Sequence, residues 1–473
     1  MTSGPAATTP DLGAPVVVGF GVTSRAVVRA LVARGHHPIV LEDRPGDEHR
    51  AVAAELGVDL IERPDADDLA KALAGATVLL PSPGIPDHHP VFAAARTVGV
   101  PLASEFDLAQ AWDDRPVVAI TGTNGKTTVT MMVADALVRS GRPAVAVGNT
   151  DIPFVEAIDP ADPEAAATEV FVVEASSFRL AHSARFRPQV AGWLNFAPDH
   201  LDAHATLADY EAAKASIWAH QPPGSTAVVN ADDPVVTASV ESADLEARGV
   251  RVVRFSIEPG GNADWSVADV DGRPNLVGPD GPLLAVDELA RRQPHDVANA
   301  LATAALALAA GATVDGVADA LRHFVGLPHR LQPVGSWSGI AWFNDSKATV
   351  PHATVAAVGG FDSVVLIAGG HPKGLSFEPL RETAPPVRTV VAIGEAAPEI
   401  EAVFDGLAPV EVASSMDEAI EAADRLARPG DAVVLSPACA SFDWYRNYVD
   451  RGDDFTRRVR ARFQGSATEG TTP

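Results

Sequence analysis

Residues 121–128, Thr-Gly-Thr-Asn-Gly-Lys-Thr-Thr, combine the groups needed to hold a nucleoside triphosphate. Gly122 and Gly125 let the backbone approach phosphate oxygens closely, Lys126 brings a cation, and Thr127 offers a hydroxyl to Mg²⁺. Thr123, Asn124 and Thr128 complete the same loop. Glu174 follows the apolar run of EVFVVEASSF, and a carboxylate at a strand end beside a phosphate loop suits Mg²⁺. In WLNFAPDHLDAHATLADYEAAKASIW, His200 sits in a polar loop and Lys214 on the following helix, both turned toward one site. Lys373, in the glycine loop after VVLIAGG, is a suitable partner for an α-carboxylate.

These side chains need a scaffold, and the local pattern supplies one. Val117 to Ile120 is a short β-branched run, and from Lys126 apolar residues recur at 129, 132, 133, 136 and 137, one face of a helix. Strand, glycine loop and helix thus follow in order, which aims backbone N–H groups from a positive helix terminus. The general phosphate loop has four residues between its first glycine and the Gly-Lys pair. Here Ile120 occupies that first position and Gly122 is the working glycine. Gly141-Arg142-Pro143 stops the helix, and AVAVGN forms a strand ending at Asn149. Further strands are expected at Trp193–Phe196, in VVNADDP and in VVRFS, with a polar loop over 198–204 and a helix over Leu207–Trp218. Ala263 to Leu284 reads as a hairpin excursion, and a helix starts at Pro294 with Asp296 as its cap.

Upstream, VVVGFG opens another strand–glycine turn–helix unit, with its helix over Ser24–Ala33 and a second strand, HPIVLEDR, ending in acids. Alone this reads as a dinucleotide site with Glu42 or Asp43 on a ribose, although Ser24 fills the third glycine position. A further strand runs into Ser82-Pro83-Gly84, so both loops lie at carboxyl ends of strands, where open α/β sheets bind ligands.

A chain of 473 residues accommodates several domains, and strand–helix alternation predicts α/β with mainly parallel sheets. The expected divisions are a disordered lead over 1–14, then domains over 15–111, 112–326 and 327–473. With 62 acidic against 36 basic residues, the net charge of −26 argues against affinity for nucleic acid or anionic membrane. Cys439 is the single cysteine, expected as a buried thiol, so no internal disulfide forms and a reducing cytoplasm is the default. The lead has neither the basic start nor the apolar core of a signal peptide, and no apolar run is long enough to span a bilayer.

T-G-T-N-G-K-T-T, N-x-x-x-D-H-x-D with Y-x-x-A-K, N-D-S-K-A-T and SPACASFD occur in that order, and together the chain resembles the Mur ligase superfamily. G-x-G-x-T-S followed by S-P-G-I is most similar to its D-glutamate-adding branch. That resemblance implies a Rossmann-like UDP-binding domain, a central ATPase domain and a C-terminal Rossmann-like domain. It implies ATP-dependent addition of D-glutamate to UDP-N-acetylmuramoyl-L-alanine through an acyl phosphate, in cytoplasmic peptidoglycan precursor synthesis, by a monomer.

At residue level it places Thr23, Glu42, Asp43, Arg44, Ser82, Pro83 and Gly84 around the UDP group, the acidic position being either Glu42 or Asp43. Asn149 contacts substrate, although Thr150-Asp151 departs from the usual Ile-Gly. Lys214 is N-carbamylated and, with Glu174 and His200, holds the second of two Mg²⁺ ions. Asn299 meets adenine, and Asp296 stands where the family has Asn. Arg330, after His329, faces the ATP phosphates, and Asn344, Asp345 and Lys347 face the nucleotide. Thr349, Ser441, Phe442 and Tyr448, with Lys373, hold the amino acid. A folylpolyglutamate synthetase is disfavoured by the first-domain loops and SPACASFD. An NAD-dependent oxidoreductase or a non-catalytic ATP module leaves the Lys214 segment unexplained.

Overall fold

The structure, a computed structural model, describes residues 10–199, 204–258, 263–372 and 376–464. It is α/β throughout, with three sheets distributed over two compact units that divide between Phe324 and Val325. Among the described residues no helix is long and apolar enough to cross a membrane.

The first unit holds two sheets. The N-terminal one is a parallel four-stranded sheet in the order Asp59–Glu62, Ile39–Glu42, Pro15–Val18, Val78–Pro81. The chain reverses its direction of travel beside Pro15–Val18. The loops after Val18 and Pro81 therefore flank the crevice where such sheets take ligands.

The nine-stranded second sheet has Val117–Thr121 inside it, between Val190–Trp193 and Val170–Glu174, with Ala144–Gly148 at the edge. All these strands run parallel, so the phosphate loop, Glu174 and Asn149 emerge at one edge. Burial explains the run VVAI: Val117 and Ala119 pack into one core, Val118 and Ile120 into another on the opposite face. A strand covered on both faces reads as continuously apolar rather than alternating. The helices Lys126–Arg139 and Pro294–Ala309 fill the second of these cores, the latter presenting a nearly all-alanine and leucine surface.

Three expectations are corrected. The strand expected at Trp193–Phe196 is Val190–Trp193; the chain leaves the sheet because Asn195 and Phe196 bond to the phosphate loop and to Asp233 instead. The excursion after 262 forms three strands; Trp265–Val270 extends the sheet in parallel and the next two add as an antiparallel hairpin. Asp296 is not the cap of its helix: Gln293 holds that position, and Asp296, three residues on, reaches back to its N–H at 3.3 Å.

The second unit is a six-stranded sheet in the order Gln332–Trp337, Ile340–Asn344, Ala432–Leu435, Val364–Gly369, Val387–Ile393, Val410–Ala413, parallel except for its first strand. Asn344, Gly369 and Leu435 end adjacent strands, so the loops carrying Asp345, His371 and Ser441 open at one edge.

Candidate active site

The phosphate loop is held open by a clasp from the neighbouring strand end. Asn195 accepts from Thr123 N through its carbonyl (3.0 Å) and from Asn124 N through Oδ1 (2.8 Å), and its amide donates to Asn124 O (3.2 Å). Gly125 starts the helix Lys126–Arg139 at φ 81°, and a Cβ there would lie 2.6 Å from Asn299 Oδ1. Only glycine accommodates both the left-handed backbone and that contact. Lys126 folds back, donating to Gly122 O (2.8 Å) and Thr123 O (3.0 Å), which leaves its cation at the mouth of the loop.

Lys214 reaches the same loop from the helix Leu207–Ala215. Its Nζ donates to Gly122 O at 2.8 Å and lies 4.6 Å from the Tyr210 ring centre, with 1 % of the residue exposed. Burial, then the Lys126 charge, lowers its pKa to about 6, against a smaller upward pull from Asp199. The side chain is therefore mostly a neutral amine near pH 7. Tyr210 is within 3.2 Å of Thr123 Oγ1, and burial raises its phenol to about 12.

Glu174 pairs in register with Ile120 on one side and Gly148 on the other, which places its carboxylate between the phosphate loop and Asn149. Asn149 Nδ2 donates to Oε1 at 2.8 Å, while Oε2 is buried with no hydrogen-bond partner among the described residues. An orphaned carboxylate oxygen at the strand end beside a phosphate loop fits a divalent cation. Among the described residues no three His, Cys, Asp or Glu side chains gather around one point; His200, expected as a ligand, lies outside them, and Lys214 as a free amine is not one. Thr127 begins the helix beside Lys126.

At the far side of the loop, Thr128, Met132, Arg291, Asp296, Asn299 and Phe324 line a small cavity. Asn299 lies against Gly125, whereas the Asp296 carboxylate is engaged by Arg291 Nε at 3.1 Å.

In the first sheet, Glu42 ends its strand and its carboxylate accepts from Phe20 N (2.6 Å) and Arg44 N (2.8 Å), bracing the glycine turn from below. Asp43 is exposed and meets His89 Nε2 at 3.0 Å. Ser82 N bonds to Val18 O (2.7 Å), bringing Ser82 and Pro83 alongside the turn that bears Thr23; Gly84 follows with open space around it. Two residues that the sequence did not single out join this region to the central sheet. Arg179, on the short helix after Glu174, forms a buried ion pair with Glu105 and donates through Nη2 to Thr23 Oγ1 at 2.9 Å. His204, stacked on Phe178, places Nδ1 3.3 Å from Asp87, just beyond the Ser-Pro-Gly loop.

In the second unit, Asp345 accepts from Leu331 N (3.1 Å) and Ser436 Oγ (2.7 Å), and burial raises its pKa to about 6. Lys347 Nζ sits 4.0 Å from the Tyr448 ring centre, and Thr349 N bonds to Lys347 O. Arg330 is exposed, next to buried His329. Asn344 is fully buried, its amide donating to Gly452 O and Thr456 Oγ1 and lying 3.0 Å from His329 Nδ1. It builds the loop from inside rather than presenting itself at its surface. Ser441 is buried, while Phe442 is 68 % exposed. Cys439 is buried, as expected. The organiser here, unassigned from sequence, is Arg451. Its guanidinium donates to Ser346 Oγ, Ser346 O, Cys439 O and Ala440 O at 2.9–3.1 Å, joining the Asn-Asp-Ser-Lys loop to SPACASFD. Lys373 lies outside the described residues.

Comparison with known proteins places this arrangement among relatives. Residues 120–307 match the family described as Mur ligase middle domain, and residues 329–439 match Mur ligase, glutamate ligase domain. A UDP-N-acetylmuramoylalanine–D-glutamate ligase of Frankia casuarinae is 41 % identical over 95 % of this chain and 94 % of its own. One of Symbiobacterium thermophilum is 38 % identical over 94 % and 97 %. Among solved structures, the UDP-N-acetylmuramate-alanine ligase of Thermotoga maritima superposes with a TM-score of 0.53 at 18 % identity, over 95 % of this chain and 99 % of that one. A MurF of Acinetobacter baumannii gives 0.55 at 17 %, over 94 % and 90 %. At such identities the likeness is one of fold.

Proposed function

Because the chain belongs to the Mur ligase family, we propose that it is an ATP-dependent ligase that adds D-glutamate to UDP-N-acetylmuramoyl-L-alanine in peptidoglycan precursor synthesis. The observation that carries this reading is the junction at Gly122, where a phosphate-loop lysine and a buried lysine meet on one carbonyl. The names of the whole-length relatives supply the two substrates.

In this reading the acceptor carboxylate attacks the γ-phosphate of ATP, releasing ADP and forming an acyl phosphate. The amine of D-glutamate then adds to the acyl carbon, and the tetrahedral intermediate expels phosphate. The chain's task is to position groups and neutralise charge. Gly122, Thr123, Asn124, Gly125, Thr127 and Thr128 cradle the phosphates with Lys126 at their charge, and Asn299 lies toward the base. Arg330, Asp345 and Lys347 serve the nucleotide. Thr349, Lys373, Ser441, Phe442 and Tyr448 serve the amino acid. Thr23, Glu42, Asp43, Arg44, Ser82, Pro83, Gly84 and Asn149 serve the UDP acceptor. Residues 15–111, 112–326 and 327–473 are the corresponding domains, and the enzyme acts as a cytoplasmic monomer.

Lys214 is the residue for carbamylation: its neutral nitrogen adds to the carbon of CO₂ and loses a proton, turning a cation site into a carboxylate-like one. Thr127 would hold one Mg²⁺, and Glu174, His200 and the Lys214 carbamate a second; Glu174 Oε2, without a partner among the described residues, supports that donor set. When bound, the two ions offset the charge of the transferring phosphoryl group.

The test is ADP release from the purified chain with Mg²⁺, bicarbonate and UDP-N-acetylmuramoyl-L-alanine, comparing D-glutamate with L-glutamate and meso-diaminopimelate, and folate as alternative acceptor. Turnover confined to the muramoyl acceptor with D-glutamate supports the reading. Turnover with folate, or with another amino acid in preference, refutes it.

A further inference from the structure

We infer that Arg179 is a positioning residue for the sugar nucleotide: it holds the Thr23 hydroxyl as a hydrogen-bond donor to a phosphate oxygen of the UDP diphosphate. The inference rests on the reading that the first glycine turn takes that diphosphate.

A guanidinium has only donors, so in the 2.9 Å contact between Arg179 Nη2 and Thr23 Oγ1 the threonine oxygen must accept. Its own hydrogen then points elsewhere, and no acceptor for it exists among the described residues. Thr23 occupies the first turn of the helix Val22–Ala33, whose terminus favours an anion. It lines a cavity with Ser24, Pro83 and Arg179, between the two loops at the carboxyl edge of the first sheet. An uncommitted O–H beside a helix terminus selects an acceptor oxygen that carries charge.

Arg179 itself cannot wander. Its other terminal nitrogen is paired with Glu105, whose second oxygen accepts from the backbone N–H groups of Phe154 and Val155. Glu105 and Arg179 are buried, Thr23 is half-buried, and the Arg179 guanidinium carbon lies 5.6 Å from the Phe106 ring centre. The hydroxyl is thus oriented from a rigid base anchored in the central sheet. Arg179 lies five residues after Glu174, so one segment serves both substrates.

The test pairs Arg179→Met with Glu105→Gln, which removes both charges and leaves no buried ion alone. Combined with Thr23→Val, it forms a cycle read through KM for the UDP acceptor. The expected result is a rise of about tenfold for either change, unchanged KM for ATP and kcat, and no further rise when they are combined. Multiplying effects, or an equal rise in KM for ATP, overturn the inference. If the paired variant does not fold, binding of UDP and of uridine to Thr23→Ser and Thr23→Val decides: UDP affinity kept by Ser and lost by Val, with uridine indifferent, supports it, and equal behaviour of the two overturns it. A wild-type chain that turns over with the muramoyl acceptor while the cycle fails sinks this inference alone; a wild-type chain that ignores that acceptor sinks the reading beneath it.

Discussion

Lys126 and Lys214 donate to the same oxygen, Gly122 O, each at 2.8 Å. Burial of Lys214, and after it the neighbouring Lys126 charge, disfavours the protonated amine and lowers its pKa to about 6. A residue that looks like an ordinary helical cation in sequence is shifted toward the neutral amine by its burial against the phosphate loop.

That relationship sets a pH dependence of stability. The ordinary lysine value is 10.5 and the folded value about 6, so between them the unfolded chain carries one proton more than the folded one. Folding stability of CO₂-depleted, metal-free protein should therefore rise with pH through that window, at on the order of 1 kcal/mol per pH unit from this group. Lys214→Met should remove that part of the slope. Urea midpoints at successive pH values measure it; equal slopes in both proteins count against a neutral Lys214.

The carbamylation proposed for Lys214 gives a second readout. With ¹³C-bicarbonate and Mg²⁺, wild type should show a carbamate carbon signal near neutral pH that Lys214→Met lacks. Turnover of the variant should fall by about a hundredfold or more. A variant with full turnover contradicts the role.

Glu174→Gln should separate metal binding from folding. Oε2 is buried without a hydrogen-bond partner among the described residues, so neutralising it removes a desolvation cost while Asn149 can keep its bond to Oε1. The metal-free variant should melt no lower than wild type, yet need at least about tenfold more Mg²⁺ for half-maximal rate. A lower melting temperature with unchanged Mg²⁺ demand would mark Glu174 as structural.

Much of this site is legible in the sequence because its determinants are local. The phosphate loop declares itself through a strand, two glycines and a helix within a dozen residues, and the Lys214 segment through a fixed motif. What escapes is long-range. The Asn195 clasp ends a strand early because side-chain bonds to Asn124 outcompete the sheet, which no propensity reveals. Arg179 meets Glu105 across 74 positions, and Arg451 meets Ser346 across 105. An arginine in S-S-F-R-L or V-D-R-G reads as a surface charge until its partners are known. Glu42 is half legible: its place at a strand end is, its use as a backbone brace is not.

Arg451→Lys tests the second unit. One ammonium cannot replace a fork that serves four acceptors, so at least one buried carbonyl or hydroxyl loses its partner, at a cost of about 1–3 kcal/mol. KM for the amino acid should rise more than KM for the UDP acceptor. An unchanged melting temperature and KM would show that the two loops hold themselves.

Gly125→Ala should cost nucleotide affinity about tenfold or more, since the methyl would lie 2.6 Å from Asn299 Oδ1 and the backbone is left-handed. Calorimetric titration with ADP measures it, and wild-type affinity in the variant would contradict the placement of the loop.

The most direct measurement is ATP consumption by the purified chain with Mg²⁺ and bicarbonate, the muramoyl acceptor and D-glutamate supplied singly and together. Sustained ADP release only when both are present, abolished by Lys126→Ala, is the outcome expected of acyl-phosphate ligation. Release that is indifferent to either substrate, or that survives the loss of Lys126, would contradict it.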